Sequence, residues 1–274
     1  MRHLTRHASA LIIAATTLPA LAQEAMFTQA ATMPAPGAFV VRQRVWFSRF
    51  GSDPARATDH YDLLESWTGA QIGLARALAL DVDFSLDNAW LKRDDASSDS
   101  QFFAGEASAL LKYRFYQDDT SGIDTFRVAA LAGAAATFQN RAAIDPEVGL
   151  VATWVKGRHG FNQDLLWRFN TGGDEADNRG GQGPSDALKF DSAYLFRIAP
   201  DTYQSDTQGS WYATLEMNGL YETSGDVELR WAPGLLYEGR SFALELFGQL
   251  PLYQQVRHRA ELDFTVGIGV RLLF

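Results

Sequence analysis

The chain has no cysteine. That excludes a disulfide framework, and it excludes a cysteine-linked lipid anchor at an export cleavage site. Long apolar runs are also missing. Beyond the amino-terminal stretch, no segment approaches the roughly 18 to 20 uninterrupted apolar residues of a membrane-spanning helix, so a membrane passage would have to be made with strands. Histidine is scarce, at five residues, and no metal-ligand cluster, nucleotide loop or cofactor motif is present. Positive charge is in deficit. There are 24 basic residues against 33 acidic ones, a formal charge of −9, which argues against nucleic acid as a partner.

The amino end has a distinct organisation. Arg2 and Arg6 precede the apolar run Ala10 to Ala15, a weaker continuation reaches Leu21, and Ala20-Leu21-Ala22 closes it. This is the pattern of a secretory signal peptide over 1–22 with an A-x-A cleavage site, so the mature chain is expected to begin at Gln23. Loss of the two arginines makes the balance more acidic still. Residues 23–37, containing Met33-Pro34-Ala35-Pro36-Gly37, show no period and are expected to form a periplasmic arm without structure.

From residue 38 onward the dominant signal is a period of two. In Glu261 to Phe274, Leu262, Phe264, Val266, Ile268, Val270, Leu272 and Phe274 fall on one face of an extended strand. Glu261, Asp263, Thr265, Gly267, Gly269 and Arg271 fall on the other. Leu78 to Trp90 alternates as cleanly, with Asp81, Asp83, Ser85 and Asp87 opposite Leu80, Val82, Phe84 and Leu86. The pattern is weakest at Tyr61 to Leu74, where Tyr61, Leu63 and Trp67 share a face with Glu65. The alanine-rich stretch 123–138 has helical propensity, but its neighbours on both sides read as strands.

Twelve such segments can be placed, near 39–50, 61–74, 78–90, 103–116, 123–138, 147–156, 161–170, 187–198, 210–221, 226–237, 240–250 and 261–274. The expected fold is therefore all-β, an antiparallel up-and-down transmembrane barrel of the bacterial outer membrane over 38–274. An even strand number lets both termini lie in the periplasm. Connections after odd strands are then extracellular and hold the longest polar stretch, 170–186. The long 199–209 and the short 222–225 break that rule, and a missed or merged pair would make the count ten or fourteen. A strand ending on Phe274 is also expected to be read by the barrel-assembly machinery.

The face opposite the apolar one supplies the candidate lumen residues: Arg42, Arg44, Asp81, Asp83, Glu106, Lys112, Arg114, Arg127, Arg168, Lys189, Arg197, Glu216, Asn218, Glu228, Arg230, Glu245, Asp263 and Arg271. Asp87, Asp164 and Asp191 lie on it too. Barrels of ~8 strands are filled by side chains and those of ~16 to 18 hold an aqueous channel, so twelve lies between. On the plainer reading the opposed charges pair across the lumen; on the other they line a narrow pore for a small solute. A lipid hydrolase is the competing class, and His258, between Arg257 and Arg259, is its single candidate base, because the other histidines fall in the signal peptide, a turn or a loop edge. A structural or adhesive barrel is the third.

The last 65 residues or so add a resemblance. Gly209-Ser210-Trp211, Glu216-Met217-Asn218-Gly219, Pro233-Gly234-Leu235-Leu236-Tyr237, Leu250-Pro251-Leu252 and the closing strand resemble the meta-pathway phenol-degradation family of outer-membrane barrels. The likeness implies a barrel in outer-membrane lipid that passes hydrophobic or aromatic compounds, with no cofactor and no catalytic residues to carry over. Glu216, Asn218 and Glu245 match the motif and point inward.

Overall fold

The computed structural model describes residues 24–53, 58–93, 98–120, 124–138, 143–172, 180–204 and 206–274. The expected signal peptide lies outside the described residues. The rest is an antiparallel barrel of twelve strands. The first four are β1 (Phe39–Phe50), β2 (Thr58–Ala75), β3 (Leu78–Arg93) and β4 (Ser98–Asp119). Next come β5 (Thr125–Thr137), β6 (Ala143–Lys156), β7 (His159–Arg168) and β8 (Ala187–Ala199). The ring is completed by β9 (Gly209–Glu222), β10 (Val227–Gly239), β11 (Phe242–Gln255) and β12 (Leu262–Leu273).

Each strand pairs with its neighbours in sequence, and β1 pairs with β12, so no edge is left open. At that seam the Phe274 N–H donates to the Phe39 carbonyl at 3.0 Å and the Phe39 N–H donates to the Phe274 carbonyl at 3.2 Å. The two rings stack at 4.7 Å.

Period-two alternation produces a wall with two unlike faces. Large apolar side chains stand exposed outside, among them Leu246 at 56% and Ile268 at 62%. A closed ring leaves no protein to cover that surface, so hydrocarbon is what it fits. The alanines of β5 follow their neighbours into the ladder, which overrides their helical propensity. β4 runs for 22 residues, roughly 70 Å of extended chain and well beyond the 9–11 residues a bilayer needs, so the β3–β4 hairpin projects past the apolar belt. Two ends can be told apart. The turn end carries the connections 76–77, 157–158 and 240–241, and the loop end carries 169–172, 180–186 and 256–261.

The structure corrects three expectations about faces and connections. Tyr61, Leu63, Glu65 and Trp67 of β2 sit on the same side as Arg44 and Asp83, so the awkward Glu65 faces the lumen and Leu64, Ile72 and Leu74 face out. In β12 the register breaks where Arg49 pairs with Phe264 and Phe50 with Leu262. This bulge leaves Asp263 unpaired and exposed and turns Leu262 inward. The turn expected at 157–160 shrinks to Gly157-Arg158, because His159 already pairs with Lys156.

Candidate functional site: the lumen

The lumen has layers of different chemistry. Towards the turn end many inward positions are apolar, including Ala79 on β3, Ala129 and Leu131 on β5, Val151 on β6, Leu195 on β8, Leu236 on β10 and Ala243 on β11. These residues bury the amino-terminal arm, contrary to the expectation that 23–37 lacks structure. Ala25 and Met26 pack with Leu195, Tyr212, Leu236, Ala243 and Phe247. Ala31 and Met33 pack with Ala79, Ala129, Leu131 and Val151.

The arm's backbone groups need partners, since no strand pairs with them. Glu216 of β9, only 2% exposed, accepts from the N–H groups of Met26 (2.7 Å), Phe27 (3.0 Å) and Thr28 (2.8 Å), and from the Thr28 hydroxyl (2.8 Å). Asp164 accepts from the Gln29 N–H at 2.6 Å, and the Thr153 hydroxyl accepts from the Ala31 N–H at 2.8 Å. On the facing wall Arg42 donates to the carbonyls of Ala25 (2.8 Å) and Met26 (3.0 Å), Arg44 also donates to the Met26 carbonyl, and Arg271 donates to the Glu24 carbonyl at 2.6 Å. Acidic side chains on one side and arginines on the other thus hold the arm across the lumen. This explains a carboxylate at 216 better than a pore-lining role does.

The wall carries ion pairs both above the arm and beside it. Arg168 grips Glu106 through both terminal nitrogens (2.7 and 3.0 Å) and Glu147 through Nε (2.7 Å). Glu245 bridges Arg42 at 2.9 Å and Arg271, and Lys112 meets Asp81 at 2.8 Å. Beside the Arg168 group a cavity of about 340 Å³ opens, lined by Arg44, Asp83, Glu106, Arg168, Lys189 and Arg230 among others. Its second wall is apolar, formed by Phe27, Trp46, Phe50, Leu63 and Trp67. The Arg44 guanidinium lies 3.8 Å over the Trp67 ring and joins the two walls. A smaller cavity of about 210 Å³ continues along the arm, past Glu24, Arg42 and Asp81.

The loop end narrows again. Phe50 stacks on Tyr61 at 4.4 Å, within a cluster that includes Leu63, Ala89, Leu91 and Leu262. Arg259, 2% exposed, reaches Glu222 at 2.9 Å, Glu228 at 3.2 Å and Asp226 at 3.4 Å. Gly181, in the loop after β7, donates its N–H to Glu222 at 2.9 Å, and the neighbouring Gln182 side chain donates to Glu106 at 3.0 Å. His258 rests against Asp226 at 3.3 Å, which gives the ring a carboxylate partner at the mouth.

The candidate residues therefore separate. Arg42, Arg44, Asp81, Asp83, Glu106, Arg168, Lys189, Asn218, Glu228 and Arg230 line the two cavities. Lys112, Glu216, Glu245 and Arg271 are buried in ion pairs or in contacts with the arm. Three sit near the turn end: Arg114 on the Arg76 carbonyl (2.7 Å), Arg127 beside Asp119 (3.2 Å), and Arg197 4.1 Å over the Tyr203 ring. Asp263 is on the exposed bulge. Sequence reading missed the arm, the aromatic wall and Glu147. The signal was present in inward positions that are apolar, such as Ala79, Leu131 and Leu195, since a wet lumen has no use for them.

No protein-family model matches this sequence, and no curated protein matches it. Solved structures do share the fold. An outer membrane channel from Pseudomonas putida F1 aligns over 89% of this chain and 97% of its own, with a TM-score of 0.55 and 11% identity. The β domain of the Bordetella autotransporter Brka aligns over 86% and 100%, with a TM-score of 0.54 and 10% identity. The NanC porin aligns over 85% and 98%, with a TM-score of 0.51 and 12% identity. The chain is an outer-membrane-type barrel, and its apolar belt places it in the bacterial outer membrane.

Proposed function

We propose that this barrel is a passive channel for a small solute, with the loop end facing outward and the turn end facing the periplasm. The observation that carries this is a ligand-sized cavity inside a closed ring, with an aromatic wall of Trp46, Trp67, Phe27 and Phe50 facing a wall of ion-paired charges. Such a cavity takes a solute with an aromatic or apolar part and a polar edge. The resemblance to the meta-pathway phenol-degradation barrels points the same way, towards aromatic compounds. The closing strand, ending in Phe274, serves in this reading as the segment handed to the barrel-assembly machinery. The test is current recording in planar bilayers together with uptake of small aromatic solutes by proteoliposomes. Discrete openings and uptake above protein-free vesicles are expected. Silence in both would end the channel reading.

A further inference from the structure

We infer that the amino-terminal arm, Glu24 to Pro36, is a displaceable closure of the channel's turn end, seated on Glu216. The inference rests on the channel reading above and adds the state in which the channel is shut. Met26, Thr28, Ala31 and Met33 lie buried in the lumen between the charged layer and the turn-end opening, so a solute leaving the larger cavity in that direction meets the arm. Nothing covalent or ladder-like holds the arm along its buried length. Its polar backbone atoms are met by side chains of the wall, namely Glu216, Asp164, Thr153, Arg42, Arg44 and Arg271. Those are groups that water can satisfy once the arm leaves. A buried strand would leave unpaired neighbours behind, whereas this segment leaves a hydrated acidic and basic wall.

The attachment suits such a movement. Gly37 joins the arm to β1 at φ +83°, in the left-handed region, and a Cβ there would meet nothing within 4 Å. The Gly37 N–H is tied to the Gly73 carbonyl at 2.8 Å, which keeps the pivot at the turn end while the residues before it swing. The large apolar anchors are three, Met26, Phe27 against Phe247, and Met33, among alanines, so the seat is specific without being deep.

The absence of native cysteine allows a clean test on the full chain. Ala31→Cys with Thr153→Cys would cross-link arm and wall where the Ala31 N–H now meets the Thr153 hydroxyl, and Gln29→Cys with Asp164→Cys provides a second, independent tether. Single-channel recording in planar bilayers is expected to show no openings from either oxidised double variant, openings restored by reductant, and no reductant effect in the four single variants. Equal conductance in the oxidised and reduced double variants would overturn the closure while leaving the channel reading intact. Silence in every form, including a chain lacking residues 24–36, would overturn the channel reading and the closure with it.

Discussion

The two halves of the lumen are made by the same strands and end in opposite states. Towards the turn end apolar inward residues such as Ala79, Ala129, Leu195 and Ala243 stand among charged ones held in ion pairs or on the arm, such as Lys112 and Arg271, and the arm fills the space between them. Beyond the arm, before the loop-end cluster narrows the lumen again, the inward residues are mostly charged or aromatic, and the space stays open as the larger cavity. The difference teaches that alternation along a barrel strand specifies only the side that meets lipid. What the other side meets, water or protein, changes along a single strand. β3 shows this within a few residues, passing from Ala79 under the arm to Asp83 in the cavities and Leu91 in the loop-end cluster.

The sharpest way to break the filled half is to remove its main acceptor. Glu216→Ala leaves three N–H groups without this partner, those of Met26 and Thr28 buried and that of Phe27 half-buried, at about 1–3 kcal/mol for each buried one. The expected result is a lower midpoint of urea unfolding in lipid vesicles and protease cleavage within 24–36; unchanged protection would contradict the seat assigned to Glu216. Next in size is a charge on the outer wall, away from both halves. Ile268→Arg should cost about 2–4 kcal/mol near the midplane in the same assay. Arg271→Met, although it also alters a charge, should act instead by leaving Glu245 to Arg42 alone and freeing the Glu24 carbonyl.

Much of this was legible in the residues and some was not. All twelve strands, the closed even-numbered ring and the inward side of β3, β4, β8 and β9 follow from periodicity, because lipid enforces it on one face. The phase errors arose where lipid does not decide. On β2 the inward face carries Tyr61, Leu63 and Trp67, as apolar as its outward one, so hydrophobicity could not choose between them. On β12 the extra residue at Asp263 moved Leu262 inside, and a bulge leaves no mark on composition. The arm's own residues were illegible for a related reason: Pro34, Pro36 and several alanines carry no period, and the partners that order it are single side chains far away in sequence, Glu216 above all.

The open half can be sharpened through its charge. Its larger cavity is lined by the carboxylates Glu65, Asp83, Glu106, Glu147, Asp191 and Glu228 against Arg44, Arg168, Lys189 and Arg230, an acidic excess. In a salt gradient the reversal potential is expected to favour cations, and Asp83→Asn should move it towards zero by a fraction of that value. Anion preference in the unmodified protein would contradict the assignment of this cavity to the conducting path. The smallest effect belongs to neither half. Gly157, at φ +58° in the β6–β7 turn, should lose about 1 kcal/mol as Gly157→Ala, seen as a small shift of the urea midpoint with conductance unchanged.

A cysteine scan along β3 reads both faces and both halves at once, since the chain supplies no background thiol. Val82→Cys should react with a lipid-soluble maleimide alone, Asp83→Cys with a water-soluble one alone, and Ala79→Cys, beneath the arm, with neither until residues 24–36 are removed. Labelling of Ala79→Cys by the water-soluble reagent as fast as Asp83→Cys in the intact chain would contradict the division of the lumen.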